Sequence, residues 1–212
     1  MLFKYTKKEY LENFFDTGEI RIGTLSDFRK IEKHNSAISD LREGKREFSR
    51  FFSGSSIVGS HSANINEITE MVFGPPGSAL MILENSTITV DVLSPDLYIF
   101  CASASFNEIV MRKEFKSDSC FIIKNKTRFF REISNTLRES AYLIAQDNIN
   151  YIGTKFDMDH RPESHIALTK DIEYSYQDEF RAVWKPRIEQ YDLSPFNIII
   201  PEARKYCDIY IK

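Results

Sequence analysis

The chain has 212 residues, 42% of them apolar and with 17 Phe and 10 Tyr among them, so it can bury a sizeable core within one α/β or α+β domain. Its formal net charge of −3 neither favours nor excludes a nucleic-acid partner. Three widely spaced cysteines without a CxxC pair, Cys101, Cys120 and Cys207, exclude a disulfide framework and a cysteine zinc site and fit a reducing compartment.

The amino terminus, MLFKYTKKEY, lacks the apolar segment of a signal peptide. No part of the sequence approaches the ~18 consecutive apolar residues that a membrane-spanning helix requires. The sequence therefore predicts a cytoplasmic protein without a membrane partner.

The predicted elements begin with a strand, a helix and a second strand. Leu2–Tyr5 is the first strand, and Thr6, with Glu9 three residues later, has the spacing of a capping box and is the predicted N-cap of the helix. Gly18 is expected to end that helix in a left-handed conformation. The alternation of apolar and polar residues over 19–22 predicts the short second strand.

Strands dominate the rest of the chain. Residues 33–78, rich in Ser, Asn, Gly and charge, are predicted to be a long loop with at most short strands, and the helical spacing of apolar residues predicts a helix near 127–145. Because strands outnumber helices without alternating with them, we predict an α+β fold with mixed and antiparallel sheets, in a single domain over 1–212. The further predicted strands are Ala79–Leu83, Thr87–Val92, Leu97–Ser103, Ser119–Lys124, Glu179–Trp184, Asn197–Ile200 and Asp208–Ile211.

Two of these strands carry pairs of polar residues with a two-residue spacing. Gln177 and Glu179 would share one face of their strand, opposite the apolar face that packs the core. The alternative is a half-exposed strand whose polar face lies in water. Ser103 and Ser105, at the end of an apolar segment, also share a face, and they could bind a ligand or cap a turn.

Together with Lys4-Tyr5-Thr6 at the end of the first strand, these segments resemble, in the same order, the three motifs of the ADP-ribosyltransferase superfamily. The opening of the chain looks like the DNA-targeting toxin branch and the rifampin-modifying branch, with Lys4 where those branches have His. The segment from Arg21 to Arg29 also resembles a group of uncharacterised bacterial and phage proteins.

The resemblance implies an NAD-dependent mono-ADP-ribosyltransferase of toxin or antiphage-defence type. NAD would be its substrate, a nucleic acid or a protein its acceptor, and an antitoxin or other neutralising protein a further partner. Glu179 would stabilise the oxocarbenium-like transition state by holding a ribose hydroxyl, and Gln177 would orient the acceptor. The implied cofactor-binding residues are Lys4, Tyr5 and Thr6 near the nicotinamide, Ser103 and Ser105 along the cofactor, and Arg21 or Arg29 at the pyrophosphate.

Other functions remain open at this point. A non-catalytic module of the same fold, binding a nucleotide or a partner protein, is favoured by Lys4 in place of His, whereas the Gln177/Glu179 pair favours the enzyme. The excess of five positive charges over residues 112–131 indicates either a phosphate-binding surface or a solvated face. A nuclease would need a clustered acidic metal site.

Two further groups of residues are weaker candidates. Asp157, Asp159, His160 and His165 lack a recognised metal-ligand spacing, so no metal is predicted. Asp40 and Glu43 precede Gly44, and a turn is the expected structure for this acidic pair.

Overall fold

The computed structural model describes residues 1–29, 42–59, 80–159, 162–188 and 192–211. Its helices are α1 (Lys8–Thr17), α2 (Leu25–Arg29) and α3 (Lys126–Leu137). A π-helical turn spans Val110–Glu114, and 3-10 helices span Ile166–Leu168, Ile172–Gln177 and Pro201–Tyr206. The strands are β1 (Leu2–Thr6), β2 (Glu19–Thr24), β3 (Lys45–Gly59), β4 (Leu80–Leu93), β5 (Tyr98–Ser103), β6 (Ser119–Ile123), β7 (Ala141–Asn148), β8 (Asn150–Tyr151), β9 (Lys155–Asp157), β10 (Thr169–Lys170), β11 (Glu179–Pro186), β12 (Phe196–Ile199) and β13 (Cys207–Ile211).

This element content confirms the predicted α+β class, with mostly antiparallel sheets and few helices. Among the described residues, every helix is too short or too polar to cross a membrane. The chain divides into two compact units, one made of Met1–Gly44, Ser94–Gly153 and His165–Lys212, the other of Lys45–Leu93 and Thr154–Ser164. The single domain over 1–212 stays a prediction.

The first unit is built on an eight-stranded antiparallel sheet. Six strands follow the order β12-β2-β5-β1-β6-β13, and β11 pairs with β5 and with β7. The two strands that carry the serine and glutamate motifs are neighbours, because β5 and β11 run antiparallel with Ser103 opposite Glu179. A separate two-stranded parallel pair joins β8 to β10.

Helices α1 and α3 cover one face of this sheet and bury its largest side chains. Phe14 of α1 stacks on Phe121 of β6, with ring centroids 4.7 Å apart, and Phe130 of α3 stacks on Phe180 of β11 at 5.6 Å. Trp184 of β11 is fully buried and donates from Nε1 to the Ser134 hydroxyl at 2.9 Å. The predicted apolar face of β11 therefore faces the main core.

The second unit is a long hairpin of β3 and β4, with β9 parallel to β3. Its small apolar cluster centres on Phe48 and Met158. The prediction of a loop over 33–78 is wrong for 45–59, because pairing with β4 stabilises a strand that its polar composition did not indicate. Residues 30–41 and 60–79 lie outside the described residues.

Two predicted strands are one continuous strand, β4. Asn85, between the predicted strands Ala79–Leu83 and Thr87–Val92, lies opposite a register shift in β3. Asn85 has a φ of 45°, and its side-chain oxygen accepts from the backbone N–H of Gly54 at 2.8 Å. The hairpin therefore accommodates the polar residues in a bulge, and β4 continues without a turn.

Two helix boundaries also differ from the prediction. The helix expected to reach residue 145 ends at Leu137, since residues 141–148 pair with β11 as strand β7. Thr6 is not the N-cap of α1: it is the last residue of β1, and the Asp118 carboxylate accepts from the Lys8 N–H at 2.8 Å instead. Gly18 ends α1 with a φ of 84°, as predicted.

Candidate functional site

A cavity of about 750 Å³ lies within the first unit. Residues of β1, β2, β5 and the start of α1 line it, together with the segment 115–117. The charged side chains of Lys170, Glu179 and Arg181 also line it. Seven of the nine residues proposed from the sequence meet here: Lys4, Tyr5, Thr6, Arg21, Ser103, Gln177 and Glu179. Ser105 and Arg29 do not line it.

The cavity lies beside the middle of β5, where neither β1 nor β2 pairs with it. One edge of β5 pairs with β11 along its whole length. On the other edge β2 pairs with residues 98–99, and β1 pairs with Ser103. Within the described strands, residues 100–102 of β5 pair with neither β1 nor β2, so the sheet divides at this point and leaves space between its strands.

Lys4 of β1 reaches into this division. Its Nζ donates to the backbone carbonyl of Cys101 at 2.7 Å and lies 4.5 Å from the centre of the Phe100 ring. Burial lowers the pKa of Lys4, because the charged form loses solvation. Lys4 thus takes the position that a strand N–H occupies in an undivided sheet, and it lines the cavity at the same time.

Glu179 lies at the inner end of the cavity, with a residue exposure of 6%. Its Oε2 accepts from Lys170 Nζ at 2.7 Å, and its Oε1 accepts from Arg181 Nε at 2.8 Å. The polar face of β11 is therefore buried, so the half-exposed strand considered from the sequence is wrong. Its charges are paired rather than solvated, as buried charges must be.

A second carboxylate completes this charge network, defined as Glu43, Lys170, Glu179 and Arg181. Arg181 forms a bidentate pair with Glu43, through Nη1 at 2.6 Å and Nη2 at 3.1 Å. Lys170 Nζ lies 3.6 Å from Glu43 Oε2. Two cations thus balance two carboxylates, all four of them buried.

The charge network determines the ionisation of Glu179. Burial alone would raise its pKa, but the Arg181 and Lys170 cations overcome burial and hold the pKa of Glu179 well below its usual range. Conversely, Glu179 and Glu43 raise the pKa of Lys170 although its burial acts in the opposite direction. Glu179 is therefore a carboxylate, not a carboxylic acid, at neutral pH.

Gln177 reaches the same centre by a different backbone path from the one predicted. It ends a 3-10 helix, and Asp178, with a φ of 41°, turns the chain into β11. The Gln177 Oε1 accepts from Lys170 Nζ at 2.8 Å, and its backbone carbonyl accepts from the Ser103 hydroxyl at 3.0 Å. Gln177, Glu179 and Ser103 are thus joined by direct hydrogen bonds and one shared lysine.

Tyr5 has a structural contact that the sequence did not indicate. Its hydroxyl donates to the Ser105 carbonyl at 3.0 Å and accepts from the Asn107 N–H at 2.8 Å. The ring packs against Phe106 and Phe115, at centroid distances of 6.0 and 5.6 Å. Tyr5 therefore anchors the segment after β5 to the end of β1.

The two arginines proposed for the pyrophosphate have different surroundings. Arg21 lines the cavity, and its guanidinium pairs with the buried Asp27 carboxylate. Arg29 donates from Nε to the Glu43 carbonyl at 2.9 Å and supports the charge network from outside the cavity. Arg21 alone is placed to contact a ligand there.

Several side chains of the basic segment 112–131 contact other residues of the first unit. Arg112 pairs with Glu108 at 2.8 Å, and Lys124 pairs with Asp208 at 2.8 Å. Lys126 lies 4.7 Å from the centre of the Phe180 ring. Lys116, by contrast, is exposed and lines the cavity.

The weaker candidates have other contacts. Asp159 pairs with Arg50 at 3.1 Å, and Asp157 accepts from the Asp159 N–H at 2.8 Å. His165 caps a 3-10 helix, since its Nδ1 accepts from the Ala167 N–H at 3.1 Å. His160 and Asp40 lie outside the described residues.

Sequence analysis missed two members of the charge network. The turn expected at Glu43 is present, but the sequence does not indicate that the Glu43 carboxylate joins the charge network, and it does not single out Lys170. A buried cation–carboxylate pair joins residues far apart in the chain, so it leaves no local spacing to detect. The sequence signal available was a Glu followed by Arg two residues later in a strand whose other face is apolar.

Comparison of this chain with protein-family models, with curated proteins and with solved structures finds no match in any of the three.

Proposed function

We propose that the chain is an NAD-dependent mono-ADP-ribosyltransferase of toxin or antiphage-defence type, with a nucleic acid or a protein as acceptor. One observation carries the proposal: Lys4, Ser103 and Glu179, one residue from each motif segment, lie on the neighbouring strands β1, β5 and β11 and line one cavity, with Ser103 opposite Glu179. These residues come from opposite ends of the chain, and their meeting around one cavity supports a shared role.

The chemistry assigned to the site requires an ionised carboxylate. As the bond between nicotinamide and ribose breaks, its electron pair moves to the ring nitrogen and neutral nicotinamide leaves. Positive charge then develops at the ribose, and Glu179 stabilises it while accepting a hydrogen bond from a ribose hydroxyl. The acceptor forms the new bond to the same carbon and releases its proton to solvent, with Gln177 orienting it.

The test compares two variants that each remove one carboxylate from the charge network. Glu179 lines the cavity and Glu43 does not, so Glu179→Gln should lower the NAD consumption rate of folded protein by about 10²–10³-fold. Glu43→Gln should destabilise the fold comparably but retain most of the activity. Equal activity of the wild type and Glu179→Gln would contradict the catalytic assignment.

A non-catalytic nucleotide-binding module is the second candidate. The observation that favours it is that both oxygens of Glu179 already accept from cations, which weakens the negative field available to a ribose. In that case the wild-type protein should bind NAD without consuming it, whichever acceptor is supplied.

A further inference from the structure

Two lysines at the cavity have a role that the sequence motifs do not assign. Lys7 follows β1 and Lys116 precedes β6, and both line the cavity. Both residues are exposed, so their ammonium groups are accessible to a ligand. Among the described residues, neither forms an ion pair, whereas Arg21, Lys170 and Arg181 on the same walls are each paired with a carboxylate.

The segments that carry these lysines are tied together. The backbone N–H of Lys8, next to Lys7, donates to the carboxylate of Asp118, two residues after Lys116, at 2.8 Å. The Tyr5 ring packs against Phe115 just before Lys116. The two lysines are therefore held on adjoining parts of one wall. The cavity combines a buried, charge-balanced interior with two lysines at its rim that have no ion-pair partner in the part of the chain that the structure describes.

An exposed aromatic side chain accompanies the lysines. Tyr10 lies three residues after Lys7, on the same side of α1, and lines the cavity while remaining 59% exposed. Among the described residues, no ring contact involves it. A flat aromatic surface beside positive charge suits a nucleobase attached to phosphates, because bases stack on aromatic rings and lysines bind phosphate oxygens.

We infer that Lys7 and Lys116 bind the diphosphate of a nucleotide whose base stacks on Tyr10. This inference rests on the proposed function and deepens it, because it assigns the phosphates of NAD to these lysines rather than to Arg21, which is paired with Asp27, or to Arg29, which does not line the cavity. The chemistry recognised is that of a nucleoside diphosphate.

Calorimetric titration of the full chain with ADP-ribose, adenosine and pyrophosphate, each at low and high salt, tests the inference. Lys7→Ala/Lys116→Ala should weaken ADP-ribose binding about tenfold, reduce its salt dependence and leave adenosine binding unchanged. Tyr10→Ala should weaken binding of ADP-ribose and adenosine and leave pyrophosphate binding unchanged.

The matched control is Lys8→Ala/Lys113→Ala, which removes two exposed lysines that do not line the cavity. It should bind ADP-ribose as the wild type does. The inference is overturned if this control loses as much affinity as Lys7→Ala/Lys116→Ala, if the latter binds normally, or if the wild type does not bind ADP-ribose. Binding of pyrophosphate as tight as that of ADP-ribose would overturn the nucleotide assignment.

These titrations do not depend on turnover. A wild type that binds ADP-ribose through the two lysines and leaves NAD intact supports this inference and contradicts the proposed enzyme. If Lys7→Ala/Lys116→Ala consumes NAD and binds ADP-ribose as the wild type does, the result supports the proposed enzyme and contradicts this inference.

Discussion

Glu179 connects the proposed chemistry with the stability of the fold. Lys170 binds one oxygen of its carboxylate and Arg181 binds the other, so the ionisation of Glu179 is coupled to folding. Replacement by Gln leaves the Lys170 and Arg181 charges facing one buried carboxylate, Glu43. Glu179→Gln should therefore lower the free energy of unfolding, whereas the same change on an exposed strand face would have little effect on it.

We expect this coupling to produce a specific pH dependence. The pKa of Glu179 is lowered on folding, so its stabilising contribution is complete above the unfolded pKa of ~4.3 and is lost as the pH falls towards the folded pKa. The difference in unfolding free energy between the wild type and Glu179→Gln should thus be largest above about pH 5 and shrink in more acidic solution. Urea denaturation over this range measures it.

The control for this measurement is Glu139→Gln, which removes an exposed carboxylate paired with Arg138. Its effect on stability should be small, because exposed ion pairs contribute little. A wild-type advantage over Glu179→Gln that stays constant from neutral to strongly acidic pH would contradict the role assigned to the two cations.

Gly18 gives a second test, directed at backbone geometry. Its φ is 84°, and an added Cβ would lie 2.6 Å from the backbone nitrogen of Pro201. Gly18→Ala should therefore destabilise the protein by at least about 2 kcal/mol, from left-handed strain and backbone overlap together. Gly153→Ala isolates the strain, since Gly153 has a φ of 83° and nothing within 4 Å of an added Cβ. If thermal unfolding shows the same loss of stability for Gly18→Ala and Gly153→Ala, overlap with Pro201 does not contribute to the effect at Gly18.

Which of these residues the sequence could predict depends on the range of their interactions. Gly18 and the alternation of Phe180 with Glu179 follow from local backbone rules, and both predictions are confirmed. The bidentate pair of Glu43 with Arg181 spans 138 residues, and no local rule selects one distant carboxylate over another. The anchoring hydrogen bonds of Tyr5 are missed for the same reason.

Helix α3 shows where local patterning loses its predictive value. The apolar spacing continues beyond Leu137 to Ala141, and both residues are buried. Residues 141–148 nevertheless form β7, because hydrogen bonding to β11 outweighs a weak helical preference. The same competition converts part of the predicted loop into β3, whose partner strand supplies the backbone hydrogen bonds.

The start of α3 provides a prediction about a single helix. The Asn125 side chain accepts from the Arg128 N–H at 3.1 Å and so caps the helix. Asn125→Ala should cost about 1 kcal/mol of unfolding free energy, and Asn125→Asp should restore it by keeping the acceptor oxygen. Chemical denaturation of both variants measures the difference. Equal stability of the Ala and Asp variants would mean that the cap does not contribute.

The two compact units lead to a prediction about the whole chain. Ser94 N–H donates to the Gly44 carbonyl at 2.8 Å, so the chain leaves and re-enters the first unit at one point. The pairing of β8 with β10 likewise brings together the ends of the second excursion. Replacing 45–93 and 154–164 with short Gly/Ser linkers should leave the first unit folded, with dispersed amide NMR signals and cooperative unfolding. Poorly dispersed amide signals would show that folding of the first unit depends on the second unit.

The division of the sheet at β5 also has a kinetic consequence. The cavity needs strands drawn from residues 2–24, 98–103 and 179–186, and such distant segments meet late in folding because closing long loops costs entropy. A ligand of the cavity thus contacts a surface that partly folded chains lack. Its binding should slow unfolding while leaving the folding rate almost unchanged, so the ligand would prolong the lifetime of the native protein without helping it to form.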